Sequence, residues 1–256
     1  GRDSFSFTAS DGTATGQPAP FGITVAPAPC DLEPTTLAVT SPARFSMGDT
    51  ITVRWTGVNR GPGETLDGWW GDWQDRLFLS ADGQLDDSDL ILGSWTSEAS
   101  PVAVQGTYAA TLDVKLPENE WSGQYNLILA VNANRAQVET NVANNLRVLP
   151  IKLDPFIRFV LPSVGRYADN ETPVGFRWLD GDQTHSATVA VAFDTDNNPA
   201  NGNEIWLAGG IPEDAEDQGD RAQLYLPDVP PGEYFVRARL TNAEGDYYSA
   251  DSPIRV

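Results

Sequence analysis

The segment Asp194-Thr-Asp196-Asn-Asn198-Pro-Ala-Asn201-Gly-Asn-Glu204 crowds five side-chain oxygen ligands, Asp194, Asp196, Asn198, Asn201 and Glu204, into one stretch. Hard cations such as calcium take oxygen ligands of this kind. The Asp-x-Asp-x-Asn opening matches the first ligand positions of an EF-hand loop. The match then ends, because Pro199 stands where the tight-turn glycine belongs and Ile205 where the bidentate glutamate belongs. Two readings stay open: a β-loop that holds calcium weakly, and a long acidic hairpin closed by Asx turns. Asp82, Asp86 and Asp89 form a weaker calcium candidate. Aspartates so placed also bind loop N–H groups with no ion, and that is the reading adopted for them. The strand at 187–193 spans about 23 Å and the next strand returns along it, which puts the third acidic run, Glu213 to Asp220, near Asp180 and Asp182 and out of reach of an ion at Asp194. The default for this run is a solvated charged face.

Other chemistry finds little support. His185 is the only histidine and Cys30 the only cysteine, which excludes a Cys/His zinc site and an intrachain disulfide. His185 lies in the polar loop "LDGDQTHSA" with no nucleophile-elbow motif. "GPGETLDG" lacks the Lys-Ser/Thr of a phosphate loop. Some pair of carboxylates always lies at a glycosidase-like separation when there are 36 acids, so such a pair means nothing alone. The chain is therefore expected not to be an enzyme.

Aromatic residues offer a binding alternative. Residues 67–95 hold four tryptophans and seven aspartates. Trp73 alternates with Asp75, Leu77 and Leu79 and is expected in a core, and Trp95 follows a strand pattern too. Trp69 and Trp70 are consecutive in a Gly- and Asp-rich loop, and consecutive strand residues cannot both face one core. One ring is then exposed to stack on a sugar, or covers a neighbouring module; the second reading is preferred.

The elements that must position these residues are strands. Period-2 runs between turn signals recur, as in "TITVRWTGV", "DRLFLS", "LILGSW", "YAATLDVKL", "GQYNLILAVNA", "ATVAVAF", "NEIWLA", "RAQLYL" and "EYFVRARL". A pattern repeats: a strand ending in Arg-Trp (Trp55, Trp178), then Leu-Pro, a glycine turn, and a tyrosine opening a long strand (Tyr125, Tyr234). The expected fold is all-β, with tandem immunoglobulin-like β-sandwiches and a tyrosine-corner position in each. The expected units are an N-terminal β-hairpin with its linker at 1–28, a first sandwich at 29–154 and a second at 155–256. The hairpin strands "DSFSFTASDG" and "FGITVAP" present apolar faces that two strands cannot bury alone: upstream strands of a longer chain complete the module, or, without them, the hairpin folds back on the first sandwich or pairs with another copy.

The net charge is −20, with Lys115 and Lys152 the only lysines. That repels nucleic acid and anionic membranes, and no apolar run reaches the ~20 residues of a membrane span. "GRDSFSFTAS" lacks the apolar core of a signal peptide.

Trp73-x-Asp75-x-x-x-Leu79-Ser80-x-Asp82, Asp89, Leu92-Gly93, Asp31-Leu32, Leu116-Pro117, Ser122-Gly123-x-Tyr125, Val138-Glu139, Asn144-Asn145 and Ile151 together resemble the bacterial cell-adhesion-related domain (CARDB) across 31–153. One departure falls at Asn132 or Asn134, where the family often has an aspartate; this counts against a metal at that end. Residues 1–28 resemble the last hairpin of cadherin-like repeats, and 155–256 resemble bacterial immunoglobulin-like or fibronectin-III-like modules. The resemblance implies a non-enzymatic structural or adhesive segment of a bacterial extracellular or cell-surface protein, stiffened by calcium if the acidic loop binds it. Its expected partners are neighbouring modules or other copies of the chain. The alternatives are a filament subunit assembling by strand exchange and a glycan-binding accessory region of a secreted enzyme.

Overall fold

The computed structural model describes residues 2–24, 26–66, 72–97, 101–118, 122–161, 172–182, 186–196, 198, 201–213, 221–226 and 229–249. All its sheets are antiparallel. Two strands, β1 (Arg2–Phe7) and β2 (Ala19–Thr24), form the N-terminal ribbon and pair only with each other. Between them Asp11 closes a small turn, accepting hydrogen bonds from the backbone N–H of Thr13 and Ala14.

Seven strands follow: β3 (Leu32–Ser41), β4 (Thr50–Asn59), β5 (Gln74–Ser80), β6 (Leu90–Thr96), β7 (Thr107–Lys115), β8 (Gly123–Ala130) and β9 (Leu146–Leu153). They build two sheets, in the orders β3-β4-β7 and β6-β5-β8-β9. Alternation sends Ile51, Val53 and Trp55 from one sheet toward Leu77, Leu79, Leu127 and Leu129 from the other, and these residues form one buried core.

The next seven strands repeat the plan: β10 (Ile157–Leu161), β11 (Val174–Asp180), β12 (Thr188–Asp194), β13 (Ile205–Pro212), β14 (Arg221–Leu224), β15 (Phe235–Asn242) and β16 (Gly245–Tyr248). Their sheets run β10-β11-β14 and β13-β12-β15-β16, the same order strand for strand. Phe176, Trp178, Val191, Phe193, Val236 and Leu240 fill the second core. Trp55 and Trp178 occupy equivalent places on the second strand of each unit, and both are fully buried. The chain is thus two β-sandwiches in series behind a ribbon.

The tyrosine corner is present in the second sandwich, where the Tyr234 hydroxyl donates to the Pro230 carbonyl at 2.8 Å. Tyr125 opens β8 at the matching place in the first, packed against the core. The strand expected to run through "LAVNA" stops at Ala130, because Asn132 takes a left-handed conformation (φ 50°) that asparagine tolerates and a ladder does not.

Candidate functional site

Two of the four tryptophans in the tryptophan-rich stretch lie where their strand pattern places them. Trp73 is buried and Trp95 packs against the same core, each edge-on to the other at 6.4 Å. Trp55 and Tyr108 complete the aromatic box, with Trp95 stacked on Tyr108 at 5.9 Å. Trp69 and Trp70 lie outside the described residues, as does His185.

Inside the box stands a carboxylate, Asp75, with no exposed surface. Its Oδ2 accepts the Trp55 indole N–H and the Tyr108 hydroxyl, each at 2.8 Å, and its Oδ1 accepts the Asn132 backbone N–H at 3.1 Å. Burial pushes its pKa up from 3.8 to about 6, and the donors pull it back only in part. The group joins both sheets through polar bonds in the middle of a hydrophobic core.

A polar cluster closes one end of the first sandwich. Asn59 Oδ1 accepts the N–H groups of Asp31 and Gly61, while its amide donates to Gly63 and Val102 carbonyls. Glu139 accepts the Leu32 N–H and the side-chain amides of Asn132 and Asn145. Asn144 donates to Asp31. The motif residues Asp31-Leu32, Val138-Glu139 and Asn144-Asn145 therefore pin the long loops to the strand ends. Asn132 needs its amide for this task, since Nδ2 donates to Glu139 and to the Gln137 carbonyl. An aspartate there would set two carboxylates against each other. Cys30 is buried in the same cluster, and burial pushes its thiol up to about 12, which makes it inert.

Asp82, Asp86 and Asp89 all accept hydrogen bonds from their own turn. Asp82 takes the Gln84 N–H, Asp86 the Ser88 N–H and hydroxyl, and Asp89 the Asp86 N–H. In the other acidic loop the five expected ligands do not act alike. Asp194 ends β12, fully buried, with Oδ2 accepting Arg237 Nε at 3.2 Å; Arg237 is buried too. The other Asp194 oxygen, Oδ1, accepts the Asp196 N–H at 3.0 Å. Asp196 is exposed and accepts the Asn198 N–H and the side-chain amides of Asn201 and Asn203. Glu204 accepts the N–H groups of Asn201 and Gly202. Among the described residues no three His, Cys, Asp or Glu side chains converge as metal ligands would. Glu213 sits beside Ala187, at the end of β12 opposite Asp194, as the strand length requires; 214–220 lie outside the described residues.

The joint between the sandwiches was foreseen in the sequence only as a boundary. Three residues, Asp154, Pro155 and Phe156, separate β9 from β10. Phe156 packs on the first core, and its carbonyl accepts the Gly181 N–H at 3.0 Å from the second sandwich. A Cβ on Gly181 would stand 2.5 Å from the Phe156 ring, so glycine is required there. The Gly181 carbonyl in turn accepts the Ser122 N–H of the first sandwich. Arg44 reaches across to Asp154 at 2.7 Å and lies over the Tyr247 ring, and Lys152 meets Glu244 at 2.6 Å. A cleft of about 360 Å³ opens here, lined in part by Arg44, Asp49, Arg158 and Asp246.

No protein-family model and no curated protein matches this chain. Similar solved structures include the CARDB domain of a Pyrococcus furiosus protein in complex with di-metal ions, at 14% identity and TM-score 0.35, covering 52% of this chain and 95% of that one. A tetra-tandem repeat in the extending region of a large adhesion protein is 15% identical with TM-score 0.34, covering 98% of this chain and 57% of that one. Fibronectin(III)-like modules of Clostridium thermocellum CbhA are 12% identical with TM-score 0.26, covering 86% of this chain and 92% of that one.

Proposed function

We propose that this chain is a non-enzymatic structural and adhesive segment of a bacterial extracellular or cell-surface protein, in which two sandwiches form one stiff spacer. The joint carries the reading. A flexible linker would hold two beads at a variable distance; here three residues connect the strands, and Phe156 and Gly181 interlock across them. The exposed ion pairs add little energy, but they oppose rotation about the joint. Spin labels at the exposed positions Thr111 and Thr188 test the spacer. A single narrow distance distribution is expected, broadened by Gly181→Ala. A broad distribution in the unaltered chain overturns the reading.

Weak calcium binding at 194–204 is the second part of this proposal, at the ~10⁻⁴ to 10⁻³ M typical of extracellular modules. The clustering of Asp196, Asn201 and Glu204 around one turn supports it. The expected outcome is a higher melting temperature in CaCl₂ than in EDTA at matched ionic strength. Equal temperatures assign the loop to its Asx turns and leave the spacer reading intact.

A further inference from the structure

The first sandwich carries apolar residues that its own core does not use. Ile91, Phe78, Ile128 and Val148 are register partners in one row across β6, β5, β8 and β9. Alternation turns this row away from Leu77, Leu79, Leu127 and Leu129, which fill the core. Ile128 is fully buried yet stands outside that core, between Phe78 and Val148. Ile91 is 61% exposed, Val148 43% and the neighbouring Leu146 47%. Antiparallel sheets with one wet face alternate apolar and polar residues, whereas Leu127 to Ala130 of β8 is an unbroken buried run. A strand that reads this way is built for cover on both faces.

The four strands put no acidic side chain on this face. Asp75 is the only carboxylate on these four strands, and it points into the core. Arg76 and Lys152 stand at outward positions, Lys152 at the edge of the face, where it pairs with Glu244 of the second sandwich. In a chain of net charge −20, strands without outward acids are where a second copy meets the least local repulsion.

The matching surface is the N-terminal ribbon. Residues 1–30 hold three charges, Arg2, Asp3 and Asp11, so the ribbon is nearly neutral. Phe5 and Phe7 share one face of β1, 53% and 54% exposed. A six-residue strand spans about 20 Å, close to the width of four strands spaced at ~4.8 Å. Fold-back within one chain is opposed by the linker: Cys30 is fixed by hydrogen bonds to 138–140, and "APAP" before it favours extended backbone.

We propose that the outer face of sheet β6-β5-β8-β9 is a docking surface for the N-terminal ribbon of a second copy of this chain. Each copy then offers one ribbon and one face, so the contact is head-to-tail and association continues past the dimer. Sedimentation or light scattering of the whole chain over a roughly hundredfold dilution tests it. The unaltered chain is expected to form concentration-dependent oligomers. Phe7→Asp and Val148→Asp, both at exposed positions, should each return it to monomer, with the melting temperature that the unaltered chain shows at its most dilute. Their equimolar mixture should recover a dimer and no larger species, because one copy keeps its face and the other its ribbon. A chain that stays monomeric at every concentration overturns the proposal. So does a mixture that fails to associate, or a Phe7→Asp chain that associates like the original, which would put face against face. None of these outcomes touches the stiff spacer, which is read within one chain.

Discussion

Asp75 places a titratable carboxyl among ring edges, with uncharged donors on both oxygens. Such a group costs stability only when it ionises, because burial penalises the charge. Its folded value of about 6 lies above the 3.8 of the free side chain. Below pH ~4 both states are protonated and the penalty is absent. Between ~4 and ~6 the unfolded chain gives up its proton first, so stability falls as pH rises through this window. The full difference is on the order of 3 kcal/mol. Urea denaturation at pH 4.5 and pH 7 should therefore show the larger stability at pH 4.5, and Asp75→Asn should remove most of that difference. An unchanged pH dependence in the variant would place the effect elsewhere, in the general repulsion of the acidic surface. The burial of Trp73 and the alternation of Asp75 were legible in the sequence. The partners of Asp75 were not, because Trp55, Tyr108 and Asn132 lie 20, 33 and 57 residues away and only the closed sandwich brings them together.

At the scale of elements, the repeated plan was legible because it rests on local pattern: Arg-Trp strands, Leu-Pro, a glycine turn and a tyrosine. Among the strands that escaped the pattern, two have a local reason. β3 contains Pro34 and register shifts on both sides of its centre, so its alternation breaks. β16 is four residues long and opens with Gly-Asp, which reads as the end of a turn. The loop at 194 shows the opposite error, a strand residue taken for part of a loop. Asp194 is still in register with Phe235, and its side chain shares a face with Arg237, two pairs along. This buried pair holds β12 to β15 on the outer side of the sheet. Arg237→Met leaves Asp194 buried without its cation and should cost about 3–5 kcal/mol. Arg237→Met with Asp194→Leu removes both charges and should recover most of the loss. Thermal melts of the two variants decide the matter: a double variant as weak as the single would mean that packing, not charge, sets the cost.

For the whole molecule the governing quantity is charge. The chain carries 36 acidic and 16 basic residues, and its described ion pairs are mostly exposed. Exposed pairs contribute at most about 1 kcal/mol each, too little to offset the repulsion among the surplus acids. That repulsion acts over distances comparable to a sandwich when salt is low, since the Debye length is about 30 Å at 0.01 M. At 0.15 M it shrinks to about 8 Å, and the compact state is relieved more than the unfolded chain, whose charges lie farther apart. The denaturation midpoint should therefore rise with NaCl from roughly 0.01 to 0.5 M. The Asp194–Arg237 pair is shielded from salt by burial and should not weaken in step. The same screening lowers the barrier between copies, so self-association through the outer face of β6-β5-β8-β9 should strengthen over this range rather than dissolve. Monovalent salt keeps screening apart from specific ion binding. A flat or falling midpoint would show that the acids are spaced widely enough over the two sandwiches to ignore one another.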